Sequence, residues 1–268
     1  AKALSRSVGC QFQRIQFTPD MLPSDVTGVS VFNQKDREFE FRPGPIHAQI
    51  VLVDEINRAT PKTQSAMLEA MEERQVTVAG QTYQLPQLFL VMATQNPLQE
   101  EGTFPLSEAQ KDRFFMHVKI DYVKMESEFE MIKMIQEERF MPSVDKERIS
   151  QEMIFAAREE VAKVKFSDAI GHYIVDLVYA TRYPLRYSKQ LSVMIDIGVS
   201  PRASLALTQC AQAHAWLNGR DEMTVEDVQA VVHDVFRHRL IMSEHTRING
   251  FKYDEIIDII LQKVSLPK

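Results

Sequence analysis

Cysteine and glycine are scarce in this 268-residue chain, and it has neither a long apolar run nor a strong charge bias. Cys10 and Cys210 are its only cysteines. Two are too few for a disulfide framework, and both read as reduced thiols. The longest apolar run, Leu88 to Ala93, has six residues, against the roughly 18 that a membrane-spanning helix needs. The opening AKALSRSVGC has neither the apolar core nor the cleavage site of a secretory leader. A net charge of −6 argues against nucleic acid as the main partner. Together these absences predict a soluble, cytoplasmic protein with no membrane span. With 44% apolar and 25% charged residues the composition is that of ordinary globular chains, which excludes a disordered or fibrous one. The length predicts one large domain or two.

The two halves of the chain carry different patterns. Gln11 to Phe17, Ile50 to Val53, Leu88 to Ala93 and Phe114 to Ile120 read as strands. The second and third are continuously apolar, as expected of parallel strands buried on both faces. Thr60 to Glu73 reads as a helix between them, with Thr60 at the N-cap and Pro61 in the first turn. Strand, helix, strand implies right-handed crossovers. Gly28 to Phe41 and Gln75 to Leu85 alternate about polar turns and read as two hairpins inserted into that plan, the second turning at Ala79-Gly80. Beyond Tyr122 helical patterns dominate: Glu126–Arg139, Gln151–Val164, Asp168–Thr181, Pro201–Trp216, Val225–Phe236 and Tyr253–Val264, with Arg182 to Pro201 an irregular link. Ser167, Ser200 and Thr224 stand at N-cap positions. The predicted architecture is an α/β parallel-sheet domain with inserted β-hairpins over residues 1–121, followed by an all-α domain over 122–268.

The sharpest local signal is IVLVDE, Ile50 to Glu55, where two carboxylates appear together at the C-terminal end of a buried strand. Ligands of open α/β sheets bind outside that end. An Asp-Glu pair there suits Mg²⁺-nucleotide hydrolysis, and it equally suits a strand simply leaving the core for solvent.

The longer context separates the two. DEINRATPKTQSAMLEAMEERQVTV, LVMATQNP, GTFPLSEAQKDRF and GVSPRASLAL, in that order, closely resemble the MoxR family of AAA+ ATPases. The resemblance runs from FTPDMLPSDVTG near the start to NGRDEMTVEDV and FRHRL near the end. It implies a P-loop NTPase-type core, hairpins of the helix-2-insert and pre-sensor-1 type, and a helical lid. It also implies ATP and Mg²⁺ as ligands, an oligomeric, hexameric ring, chaperone-like remodelling of a protein client, and a von Willebrand factor A-domain protein as partner.

Residue by residue, the resemblance makes Asp54 the magnesium ligand of a Walker B pair and Glu55 its general base. Asn96 matches sensor 1, where an amide can bond both a γ-phosphate oxygen and the attacking water; a turn asparagine before Pro97 fits the same position. Arg113 matches the arginine finger that completes a neighbouring subunit's site. Ser107 and Gln110 have capping-box spacing, so Arg113 falls at the end of a short helix before a strand, where a cation also suits the helix dipole. Arg202 matches sensor 2. Ser200 and Pro201 place it in the opening turn of a helix, where the dipole disfavours a cation, and an anion is its expected partner. Arg58, close after the carboxylates, suits a contact with a neighbouring subunit or a pair with Glu55, and the structural pair is the expected reading. No histidine pair has metal-ligand spacing.

One part of the pattern is missing. A P-loop, Gly-x-x-x-x-Gly-Lys-Ser/Thr, should precede the first helix, and no Gly-Lys pair occurs in the chain. Either the phosphate cradle lies ahead of Ala1, with AKALSRSVGC the back end of the helix that follows it, or phosphate binding has been lost. The joint presence of Asp54, Glu55, Asn96, Arg113 and Arg202 favours the first. Residues 1–268 alone are then expected to bind ATP weakly. A nucleic-acid motor is the alternative machine, which balanced charge in FNQKDRE and a base-free VAGQTYQ turn do not favour. A non-catalytic scaffold follows only if the P-loop is truly absent.

Overall fold

The computed structural model describes residues 1–95, 102–138 and 148–267. The first part runs α1 (Lys2–Val8), β1 (Phe12–Gln16), α2 (Pro23–Thr27), β2 (Gly28–Asn33), β3 (Glu38–Pro43), β4 (Ile50–Asp54), α3 (Pro61–Glu73), β5 (Gln75–Val78), β6 (Gln81–Gln84), β7 (Leu90–Ala93) and α4 (Glu108–Lys111). The second runs α5 (Met125–Glu138), α6 (Gln151–Lys163), α7 (Asp168–Arg182), α8 (Lys189–Met194), β8 (Ile195–Ile197), α9 (Pro201–Leu217), α10 (Val225–Phe236), β9 (Ile241–Met242), α11 (Glu244–Ile248) and α12 (Tyr253–Lys263). No helix among the described residues is long and apolar enough to cross a membrane.

Strands β1, β4 and β7 form one parallel sheet with β4 in the middle. Val51 and Val53 of β4 are buried, which is why the strand reads as a continuous apolar run. The register pairs Gln16 with Asp54 and Val53 with Ala93, so all three strands end at the same edge. Helix α3 covers the sheet with Met67, Leu68 and Ala70, each at most 2% exposed. Full burial of a side chain such as Met67 or Leu68 contributes about 1.5–3 kcal/mol. Thr60 does occupy the N-cap of α3, although its hydroxyl faces Thr63 Oγ1 at 3.3 Å rather than the helix amides. Both expected hairpins form, β2–β3 and β5–β6. Ala79 and Gly80 have φ of 51° and 80°, the two left-handed residues that a tight hairpin turn requires. Stacking of Phe41 on Tyr83, with centroids 3.8 Å apart, ties one hairpin to the other.

The helical part has its own core, built around Tyr173, Leu177, Leu207, Val232 and Ile256 and separate from the cluster around β4. Ser167 and Ser200 cap α7 and α9 through their hydroxyls, and Thr224 with Asp227 forms a capping box on α10.

Two expectations fail. Phe114 to Ile120 is not a strand. Its backbone polar groups are taken by the end of α10 and the turn after it instead: Phe114 O accepts from His238 Nε2 (2.9 Å) and Arg239 Nη2 (2.5 Å), and His117 N donates to Asp234 O (2.8 Å). The link from Arg182 to Pro201 is not irregular. It holds a 3-10 turn at Pro184–Arg186, then α8 and β8, and β8 pairs antiparallel with β9. Ser188 caps α8 there, a short-range signal that the longer helices around it obscured.

Residue His238 lies at this junction, 8% exposed, and donates from Nε2 to the Phe114 carbonyl. Burial, aided by the Arg239 charge, pushes its pKa from 6.5 down to about 4. The unfolded chain therefore takes up this proton more readily between pH 6.5 and 4, and stability falls as pH drops through that window. Denaturant titrations at pH 7 and 4.5 should show the parent protein losing of order 2 kcal/mol more than His238→Gln, which keeps a donor but cannot titrate.

Candidate functional site

The common edge of β1, β4 and β7 gathers a set of polar side chains. Asp54 and Glu55 leave β4 together. Thr94 follows β7, and Arg14 and Gln16 lie two apart on β1, hence on one face. Arg14 Nε donates to Asp54 Oδ2 at 2.5 Å, and Thr94 Oγ1 donates to Asp54 Oδ1 at 3.2 Å. Glu55 Oε2 accepts from Gln16 Nε2 at 3.0 Å and pairs with Arg58 Nε at 3.2 Å. The same Thr94 hydroxyl accepts the Glu55 backbone N–H at 3.0 Å, so it ties the Asp54 carboxylate to the backbone at Glu55. The expected Arg58–Glu55 pair is present.

Glu55 has φ 54°. The other non-glycine residues with positive φ among those described are Arg37, Arg74 and Ala79, each at a turn or helix cap; Glu55 combines the exit of β4 with the N-cap of a 3-10 turn, Ile56–Arg58. An L-residue in that region costs roughly 1–2 kcal/mol. The strain turns the chain sharply, placing Glu55 beside Asp54 instead of on the opposite face of a continuing strand. Buried Gln64 pins the turn from behind: its Nε2 donates to the carbonyls of Ile56 (3.2 Å), Ala59 (3.0 Å) and Phe104 (2.8 Å).

Arg113 and Arg202 lie elsewhere, and together. The Glu72 carboxylate, near the end of α3, meets Arg113 Nη1 at 2.6 Å and Arg202 Nη2 at 2.5 Å. Arg202 Nη1 also lies 3.4 Å from Asp112 Oδ2. The capping box of Ser107 and Gln110 forms, and α4 ends one residue before Asp112, which presents Arg113 as expected. No strand follows it. Arg202 sits in the opening turn of α9, and its anionic partners are these two carboxylates. Gly198 sets this end of α9, since a Cβ there would fall 2.5 Å from the carbonyl oxygen of Thr181. The buried Thr181 hydroxyl accepts the next N–H, from Val199, at 3.0 Å.

The spacing of the two groups follows from α3. Glu72 stands eleven residues beyond Pro61, an axial distance of about 16 Å. Among the described residues, no hydrogen bond or ion pair joins Asp54 or Glu55 to Arg113 or Arg202. Asn96 lies outside the described residues. Arg14, Gln16 and Glu72 escaped the sequence reading. The first two carried a signal, polar residues at period two on a strand, whereas Glu72 is one acid among several in MLEAMEER.

The donor set at the sheet edge fits Mg²⁺: a carboxylate and a hydroxyl, both hard oxygen ligands, at the end of a strand. No group of three or more His, Cys, Asp or Glu suited to a metal occurs among the described residues.

If Glu55 is strained for its role, relieving the strain should stabilise the fold. Glu55→Gly should raise unfolding free energy by about 1 kcal/mol in urea titrations, since the exposed contacts to Gln16 and Arg58 contribute little. A loss of stability would mean that those contacts outweigh the backbone strain.

Comparison with known proteins joins the sheet edge and the helical part in one family. Residues 1–116 match the family model described as "ATPase family associated with various cellular activities (AAA)", and residues 190–259 match the AAA lid domain. The chain is 44% identical over 267 residues to the protein YeaC of Bacillus subtilis, covering 99% of this chain and 80% of that one. It is 39% identical over its full length to Chaperone MoxR1 of Mycobacterium tuberculosis, of which it covers 70%. A crystal structure from Cytophaga hutchinsonii, of a protein proposed to be an ATPase, superposes with a TM-score of 0.91 at 39% identity, covering all of this chain and 83% of that one. The chain belongs to the MoxR family of AAA+ ATPases.

Proposed function

We propose that this protein hydrolyses ATP in the cytoplasm as a subunit of a hexameric ring and uses the cycle to remodel a protein client. The observation that carries the reading is the separation of two groups in one chain. Asp54 and Glu55 stand at the C-terminal edge of the sheet, and Arg113 and Arg202 gather on Glu72, near the C-terminal end of the helix that follows them. An arginine pair that distant from its own carboxylates is best used on the nucleotide of an adjacent subunit. Because one carboxylate holds both, the two guanidiniums address one phosphate.

Asp54, with Thr94 beside it, would hold Mg²⁺, which when bound neutralises charge on the phosphate oxygens. Glu55 takes a proton from the attacking water, and Gln16 and Arg58 hold its carboxylate in place for that transfer. Asn96 orients the same water. Arg113 stabilises charge on the neighbour's terminal phosphate, and Arg202 binds that phosphate with it. In this reading residues 1–121 form the ATPase core and 122–268 the lid. The β2–β3 and β5–β6 hairpins are the helix-2 and pre-sensor-1 inserts. The chaperone name of the M. tuberculosis relative supports the client reading, and a von Willebrand factor A-domain protein is the partner class that we propose.

The test is Glu55→Gln, assayed with a phosphate-binding loop supplied ahead of Ala1. Phosphate release should fall about 10²–10⁴-fold, the range of a lost general base, while equilibrium binding of ATP stays close to that of the parent. Equal losses of affinity and turnover would make Glu55 a binding or folding residue and refute its assignment as base.

A further inference from the structure

The ion-pair network around Arg202 has two parts of different character. In one, Arg239 is 2% exposed at its side chain and pairs with Asp112 at 3.1 Å, while also donating to the Phe114 and Val235 carbonyls. A buried pair of this kind does not exchange with solvent ions. In the other, Glu72, Arg113 and Arg202 have side chains 39%, 35% and 52% exposed. Ion pairs in that setting are weak and screened by salt, so an anion from solution can compete for them. Arg202 touches both parts, with Nη1 3.4 Å from Asp112 Oδ2. The network sets three guanidiniums against two carboxylates. The N-terminus of α9, with Arg202 in its first turn, adds further positive potential.

We infer that Glu72 is a resident counter-anion that occupies Arg113 and Arg202 together and yields them to a terminal phosphate. The inference rests on reading the two arginines as phosphate ligands, and it adds the group that occupies them. With Glu72 in place, both guanidiniums are already gathered about one oxyanion, in the arrangement that a phosphate requires. Its competition for the same donors sets the affinity.

The probe is inorganic tripolyphosphate, titrated into residues 1–268 at low salt by calorimetry, with thermal melts to confirm that each variant folds. Both Glu72→Gln and Glu72→Ala should bind it about two- to tenfold more tightly than the parent, the size expected when one or two exposed ion pairs are removed from competition. Adding Arg113→Ala and Arg202→Ala to Glu72→Gln should abolish that gain. Unchanged or weaker binding by folded Glu72 variants, with the arginines still required, overturns the inference and leaves their assignment as phosphate ligands standing. Binding that is indifferent to both arginines refutes that assignment, and the inference with it.

Discussion

Asp112 joins the two cores at the point where the arginines meet. Its carboxylate accepts the Ser200 hydroxyl at 2.9 Å, faces Arg202, and pairs with the buried Arg239. A guanidinium as buried as that of Arg239 is tolerated only when paired and hydrogen-bonded, and losing the partner of such a charge costs about 3–5 kcal/mol. The pair therefore constrains more than stability. It fixes the end of α4 against the start of α9, so that Arg113 and Arg202, 89 residues apart in the chain, reach the same carboxylate. The backbone of Phe114 and Phe115 is held in the same way by Arg239, and that is why an apolar stretch with strand character is not paired into a sheet.

At the other end of α3 the constraint is a register. Parallel pairing aligns Gln16, Asp54 and the residues after Ala93, and the left-handed turn at Glu55 adds the second carboxylate to the same edge. Thr94 bonds the Asp54 carboxylate and the Glu55 backbone N–H. Helix α3 then works as a spacer. Its length keeps the carboxylates and the arginine pair in separate places on one subunit, and that separation suits sites completed between subunits rather than within one.

Much of this was legible beforehand because it rests on local rules. Apolar β4 and β7, the Pro-led start of α3, the Ala79-Gly80 turn and the serine caps of α7 and α9 are short-range signals, and each element stands close to where its residues predicted. The Asp54–Glu55 pair and its Arg58 partner were visible for the same reason. What could not be read depends on distant contacts. Phe114 to Ile120 has strand-like residues, yet its backbone partners are over a hundred positions away, at Asp234 and His238. The partnership of Glu72 with two arginines, 41 and 130 residues downstream, leaves no trace in spacing or periodicity. The partner of Arg202 was expected to be an anion, and it is, but the anions present are the chain's own carboxylates.

The central claim is that the carboxylates of one subunit work with the arginines of the next. It is tested most directly by mixing Glu55→Gln and Arg113→Ala subunits, each inactive alone, and following steady-state phosphate release across mixing ratios. Sites shared between subunits predict release that rises from near zero at both extremes to a maximum in between, where some neighbours combine an intact Glu55 with an intact Arg113. Flat, near-zero release in mixtures shown to exchange subunits would contradict the claim.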